Sequence, residues 1–161
     1  MKTSIEGVEI HPLKVIADER GSIRHMLRAS DEWFRGFGEI YFSTIHPNIV
    51  KAWHLHKGMA LAYACVVGQV AIGLVDSREH SPTRDAQQIV YLASPEVEPE
   101  SYQLLVIPPK VWNGFRVPTG ITEDAMIANC ASLEHDPNEI VRVHPMFFPF
   151  AFDWGSYELA G

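Results

Sequence analysis

The sequence predicts an all-β fold, an antiparallel sandwich or barrel, and three observations carry that prediction. Short apolar segments recur at intervals of about ten residues, each closed by turn residues, as in stacked or rolled antiparallel strands. The chain has 11 Gly and 11 Pro among 161 residues, enough to punctuate many turns. Helix signals are weak: Ser30-Asp31-Glu32-Trp33-Phe34 and Asp136-Pro137-Asn138-Glu139 can each cap one short turn and no more. The length suits one domain spanning residues 1–161, and 47% hydrophobic content is enough to fill its core.

Taken in order, the first strand is expected over residues 7–12 and the second over 22–27, after the turn Asp18-Glu19-Arg20-Gly21. Strands over 39–45 and 49–56 flank His46-Pro47-Asn48, and strands over 61–67 and 70–76 meet across Gly68. Residues 77–85 read as a charged loop before a strand over 88–92, and residues 94–100 as a loop before a strand over 103–107. Pro108-Pro109 separates that strand from one over 113–117, and Pro118 to Gly120 turns the chain into the last, over 125–131. The tail over 147–154, aromatic and broken by Pro149, reads as coil packed over one open end of the barrel.

Charge narrows the range of functions. With 13 Lys plus Arg against 20 Asp plus Glu, the net charge of −7 leaves no basic face broad enough for a run of phosphates, which argues against nucleic acid as partner. No stretch approaches the roughly 18 to 20 apolar residues of a membrane span. Glu6, Glu9 and His11 stand where a secretory leader would be apolar, so a cytoplasmic location is expected. Cys65 and Cys130 lie in apolar segments without a CxxC pattern, as reduced core residues do.

Eight His are the one compositional surplus. The informative stretch is Val50-Lys51-Ala52-Trp53-His54-Leu55-His56-Lys57-Gly58. Strict strand alternation puts Val50, Ala52, His54 and His56 on one face and Lys51, Trp53 and Leu55 on the other. On a solvated face two imidazoles are unremarkable chemistry; on a concave face they become a base plus a binding group, or two metal ligands.

His-x-His followed by Gly, then Ile107-Pro108-Pro109 ahead of Trp112-Asn113-Gly114-Phe115, resembles the two halves of a cupin barrel. A metal-binding cupin adds a Glu and a last His. Residues 57–61 hold no carboxylate and Asn113 takes the place of that His, so two His fall short of the usual three protein ligands and no metal or other cofactor is expected.

Four segments, Asp18-Glu19-Arg20-Gly21, Lys51-Ala52-Trp53-His54, Val75-Asp76-Ser77-Arg78 with Ser81-Pro82-Thr83, and Ile107-Pro108 through Gly114-Phe115, resemble in order and spacing the dTDP-4-dehydrorhamnose 3,5-epimerase family. The resemblance implies a homodimeric, metal-free cupin double-stranded β-helix with one or two short helices. It also implies a nucleotide-linked 4-keto-6-deoxy sugar as substrate. A ketone at C4 acidifies the protons at C3 and C5, so a base on one face and an acid on the other invert a centre through an enolate.

By that resemblance His54 is the base, a role suited to an imidazole whose unperturbed pKa is about 6.5. Lys51 stands where the family has an Arg on the diphosphate, and Arg20 matches an arginine of the amino-terminal loop that approaches the nucleotide. Arg78 belongs to a family motif as a phosphate-side or structural residue. Leu61 replaces the family's barrel Lys, Asn113 its later His, and residues 133–135 contain no Tyr to match its catalytic acid.

Tyr63, two residues beyond Leu61 and on the same side of the strand, is the replacement acid expected, with a core aromatic as the alternative. His56 and Asn113 are expected at the substrate, with Asn129, Glu134 and His135 as further polar candidates. Trp53 and Trp112 read either as stacking platforms or as core. Three other readings stay open: a sugar-nucleotide 3,4-ketoisomerase, a group that shares the pattern of His54-Leu55-His56-Lys57, a non-catalytic sugar-nucleotide-binding cupin, and a metal-dependent cupin.

Overall fold

The computed structural model describes residues 3–155 and the backbone of Glu158–Leu159. Its strands are β1 (Glu9–Pro12), β2 (Val15–Asp18), β3 (Gly21–Arg24), β4 (Glu39–Ile45), β5 (Ile49–His56), β6 (Leu61–Val67) and β7 (Gln69–Asp76). They continue with β8 (Gln87–Ala93), β9 (Gln103–Ile107), β10 (Val111–Arg116), β11 (Ala125–Ala131), β12 (Ile140–Arg142) and β13 (Glu158–Leu159). The expected strands over 39–45, 49–56, 61–67, 103–107 and 125–131 coincide with β4, β5, β6, β9 and β11.

One expected strand changes. The strand over 22–27 is half of the β2–β3 hairpin, folded back at Asp18-Glu19-Arg20-Gly21. Residues 30–34 and 136–139 form single turns, closed by Phe34 N–H to the Asp31 carbonyl and Glu139 N–H to the Asp136 carbonyl. Neither continues, because one turn without an apolar stripe does not repay helix nucleation. Among the described residues the helical turns are 3-10, at Pro99–Ser101 and Pro145–Phe147.

The strands build two facing antiparallel sheets, one in the order β1-β9-β6-β11-β4 and the other in the order β12-β5-β10-β7-β8, with β13 parallel to β5. This is the cupin-type barrel expected. β6 and β7 are buried almost throughout, because each sits inside its sheet and is covered on both faces. Between the sheets Leu61, Cys65, Ile72, Leu74, Leu105, Phe115 and Ile127 form the main core. On the outer face of the first sheet Ala62, Ala64, Leu104 and Val106 pack under Leu13, Met26, Leu27 and Trp33. Cys65 and Cys130 are both free thiols, and burial pushes the Cys65 thiol up to about 12.

The aromatic tail does not lie over the barrel's open end. Phe148, Phe150, Phe152 and Trp154 pack on the outer face of the second sheet, against Trp53, Val75 and Trp112. Trp53 and Phe148 stack with ring centroids 4.3 Å apart. Gly73 permits the contact, since a Cβ there would stand 2.5 Å from the Trp154 ring. Trp53 and Trp112 therefore serve the core under this tail, and neither reaches the interior cavity described below.

Candidate active site

A bulge in β5 decides which side chains face inward. Against β10, His54 aligns with Asn113 while Lys51 aligns with Phe115, so three steps along β5 match two along its neighbour. The extra residue turns Lys51 to the same side as His54 and His56, where strict alternation put it on the opposite side. Ala52 and Trp53 face out. Gly114 is the sequence's allowance for the bulge: a Cβ on it would sit 2.3 Å from the Cβ of Ala52.

Between the sheets opens a cavity of about 430 Å³. The first sheet contributes Glu39, Tyr41, Ser43, Tyr63 and Asn129, and the second Lys51, His54, His56, Phe115 and Arg142. Met59, Ile127, His135 and Ile140 complete the wall. Its volume falls in the range of small-molecule sites, and its lining sets the apolar Met59, Phe115, Ile127 and Ile140 among mostly polar side chains.

His54 is mostly buried, and burial pushes its pKa down to about 4, helped by the positive charges of Arg142, His56 and Lys51. The imidazole is therefore neutral near pH 7 and able to accept a proton. Among the described residues its ring makes no hydrogen bond, while its backbone carbonyl accepts one from Asn113 Nδ2 at 3.2 Å. Its neighbour is anchored differently. His56 Nδ1 lies 2.7 Å from Glu139 Oε2, and the other carboxylate oxygen accepts the backbone N–H groups of Gly58 and Met59, each at 2.8 Å. Burial tends to raise the Glu139 pKa, but these hydrogen bonds outweigh it and keep the carboxyl below its usual range. An ionised carboxylate only accepts, so His56 presents an N–H to it from Nδ1.

Lys51 Nζ donates to Ser43 Oγ and to the Thr44 carbonyl, both at 2.9 Å, and lies 5.6 Å from the centre of the Phe115 ring. Burial lowers its pKa. Arg142, on β12 opposite His54, brings a second cation to the cavity. Tyr63 stands in the wall but is almost wholly buried, and its hydroxyl donates to Asn113 Oδ1 over a long 3.3 Å. Burial raises its pKa well above the ordinary phenol value.

Three expected substrate contacts are placed elsewhere. Asn113 is buried behind the wall, where it links Tyr63 to the His54 backbone, so it braces β5. Arg20 sits at the exposed tip of the β2–β3 hairpin, 2.6 Å from Asp18 and outside the cavity. Arg78 clamps the fully buried Asp76 through Nε to Oδ1 and an NH2 group to Oδ2, both at 2.8 Å, and reaches the Glu6 carbonyl at 2.7 Å. Ser81 and Thr83 hydroxyls donate to the same carboxylate at 2.6 and 2.7 Å. This motif is a staple for the 76–83 loop, with its guanidinium already committed.

Of the further polar candidates, Asn129 and His135 line the cavity and Glu134 does not. Tyr41, Arg142 and Glu139 were not singled out by the sequence. Tyr41 was hidden because Ile40 and Phe42 look like the core-facing residues of β4, yet these two face solvent and Glu39, Tyr41 and Ser43 face in. Arg142 and Glu139 lie in or beside β12, a three-residue strand too short to leave a pattern. Among the described residues, no group of three or more His, Cys, Asp or Glu stands close enough together to hold a metal ion.

The cavity of this cupin-type barrel holds a His54 ring without a hydrogen bond among the described residues beside the cations Lys51 and Arg142, an arrangement able to accept a proton next to positive charge. The chain belongs to the dTDP-4-dehydrorhamnose 3,5-epimerase family, whose model matches residues 2–160. It is similar to a dTDP sugar isomerase from Desulfovibrio desulfuricans G20, with 38% identity, a TM-score of 0.85 and 94% of each chain covered. It is also similar to the "Probable low-salt glycan biosynthesis epimerase Agl13" of Haloferax volcanii, 31% identical over 115 residues, 70% of each chain. The fold matches that of NovW, a 4-keto-6-deoxy sugar epimerase of Streptomyces spheroides, at a TM-score of 0.83 and 24% identity, covering 99% of this chain and 81% of NovW.

Proposed function

We propose that this chain is an epimerase of a nucleotide-linked 4-keto-6-deoxy sugar, with dTDP as the nucleotide, inverting C3, C5 or both. The observation that carries the reading is His54, a neutral imidazole free of hydrogen bonds among the described residues and facing a cavity that both sheets enclose. His54 takes the proton alpha to the C4 ketone, and the electron pair moves to the carbonyl oxygen as an enolate. Lys51 and Arg142 supply positive charge for the diphosphate and the enolate. A bound diphosphate offsets two of the charges that depress the His54 pKa, while burial, the larger cause, stays in place.

The protein works in the cytoplasm as a homodimer. Support for the dimer comes from β4, an edge strand of its sheet with Ile40 and Phe42 exposed, and from the exposed Ile16 and Ile23 of the β2–β3 hairpin. Sedimentation equilibrium tests this: a monomer at micromolar concentration contradicts it.

A second reading, a 3,4-ketoisomerase, is favoured by one observation: His56 lines the cavity beside His54, with Nδ1 held by Glu139 and Nε2 without a hydrogen bond among the described residues. NMR of the product separates the two. An inverted C3 or C5 with the carbonyl still at C4 supports the epimerase, and a carbonyl moved to C3 supports the isomerase. Sugar-nucleotide binding with neither product nor solvent exchange removes both.

A further inference from the structure

We propose that Tyr41 is the proton donor that completes the inversion, acting from the face of the sugar opposite His54. This assignment rests on the epimerase reading above. Inversion needs the base and the acid on opposite sides of the carbon, and the cavity supplies those sides as its two sheets. His54 projects from β5 of one sheet and Tyr41 from β4 of the other.

The hydrogen-bond pattern selects Tyr41 over Tyr63. Tyr41 oxygen accepts from Asn129 Nδ2 at 2.8 Å. The Asn129 amide is held in that orientation because its Oδ1 accepts the Ala62 N–H at 3.2 Å. Tyr41 thus spends a lone pair on the protein, and among the described residues its own proton has no acceptor and is left for the cavity. Tyr63 does the reverse: its proton goes to Asn113 Oδ1 and its ring is almost wholly buried. Tyr41 is about two-fifths exposed, so its oxygen also reaches solvent for reprotonation. Burial raises the Tyr41 pKa, against the opposing pull of Asn129, which keeps the phenol protonated before the reaction.

The step balances without a further reactant. His54 receives the C–H proton and becomes imidazolium, and the electron pair delocalises onto the C4 oxygen. As the carbonyl re-forms, the pair bonds to the Tyr41 proton on the opposite face, leaving a phenolate stabilised by the Asn129 N–H. Solvent then removes the proton from His54 and returns one to Tyr41. Asn129 is a positioning residue in this scheme.

The test follows a dTDP-4-keto-6-deoxyhexose in D₂O with the wild-type protein, Tyr41→Phe and Tyr63→Phe, measuring epimer formation and deuterium in recovered substrate. Tyr41→Phe is expected to lose about 10²- to 10⁴-fold in epimer formation. It is expected to keep washing deuterium into unepimerised substrate, because His54 still removes a proton and returns a deuteron to the same face. Tyr63→Phe is expected to keep both activities. Epimer formation at the wild-type rate by Tyr41→Phe overturns the assignment, as does loss of exchange and product together, which makes Tyr41 a binding residue. The same separation appearing in Tyr63→Phe overturns it too. A wild-type protein that binds the substrate but shows neither exchange nor product overturns the epimerase reading, and this assignment falls with it.

Discussion

His54 and Asp76 are both polar, motif-borne and withdrawn from water, and they serve opposite ends. Asp76 is fully buried with both carboxylate oxygens occupied by Arg78, Ser81 and Thr83. His54 has a ring without a hydrogen bond among the described residues and a cavity in front of it. Burial opposes the charged form in both, but the outcome differs. For Asp76 the hydrogen bonds outweigh burial and hold the carboxyl far below the usual range. For His54 burial wins and the imidazole stays neutral. A closed set of hydrogen bonds marks a staple, and an open one marks a group available for chemistry.

The largest effect expected from breaking this contrast is on the open side. His54→Ala is expected to lower turnover by about 10²- to 10⁴-fold while leaving the melting temperature close to wild type, measured by steady-state kinetics and calorimetry. Arg78→Ala is expected to do the reverse. It leaves a buried carboxylate without its cation, a stability loss on the order of 3 kcal/mol in urea unfolding, with kcat nearly unchanged where the protein is folded. A collapse of kcat in folded Arg78→Ala contradicts the staple assignment.

Lys51→Met comes next. Loss of a charged hydrogen-bonding group is worth roughly 1.5 to 3 kcal/mol, so KM is expected to rise by about ten-fold or more with a smaller change in kcat. The smallest effect is the His54 contribution to pH-dependent stability. Its folded pKa lies below its unfolded value, so between about pH 6.5 and about pH 4 the unfolded chain binds the extra proton. Native stability therefore falls as pH drops through that window, and His54→Gln is expected to flatten that part of a stability-against-pH curve.

Much of the fold was legible because strand signals here are local. Residues 39–45, 49–56 and 125–131 carry apolar runs ended by turn residues, and they became strands with those limits. The site was legible only in part. His54 and His56 stood in a motif, but the inward turn of Lys51 depends on a bulge that arises from pairing β5 with β10, residues far apart in the chain. Tyr41 was obscured because β4 exposes its apolar side and turns Glu39, Tyr41 and Ser43 inward, the reverse of what polarity alone suggests. Arg78 read from its motif as a phosphate-side or structural residue, and what the sequence does not display is the burial of Asp76, to which its guanidinium is bound.

The central claim is that His54 is the base of a proton transfer alpha to a sugar ketone. The most direct measurement is deuterium wash-in from D₂O at C3 and C5 across a panel of 4-keto-6-deoxy sugar nucleotides, comparing the wild-type protein, His54→Ala and Arg78→Ala. The account predicts exchange at one or both carbons with wild type and Arg78→Ala, and none above background with His54→Ala. Exchange that survives in His54→Ala, or that is absent from wild type across the whole panel, contradicts it.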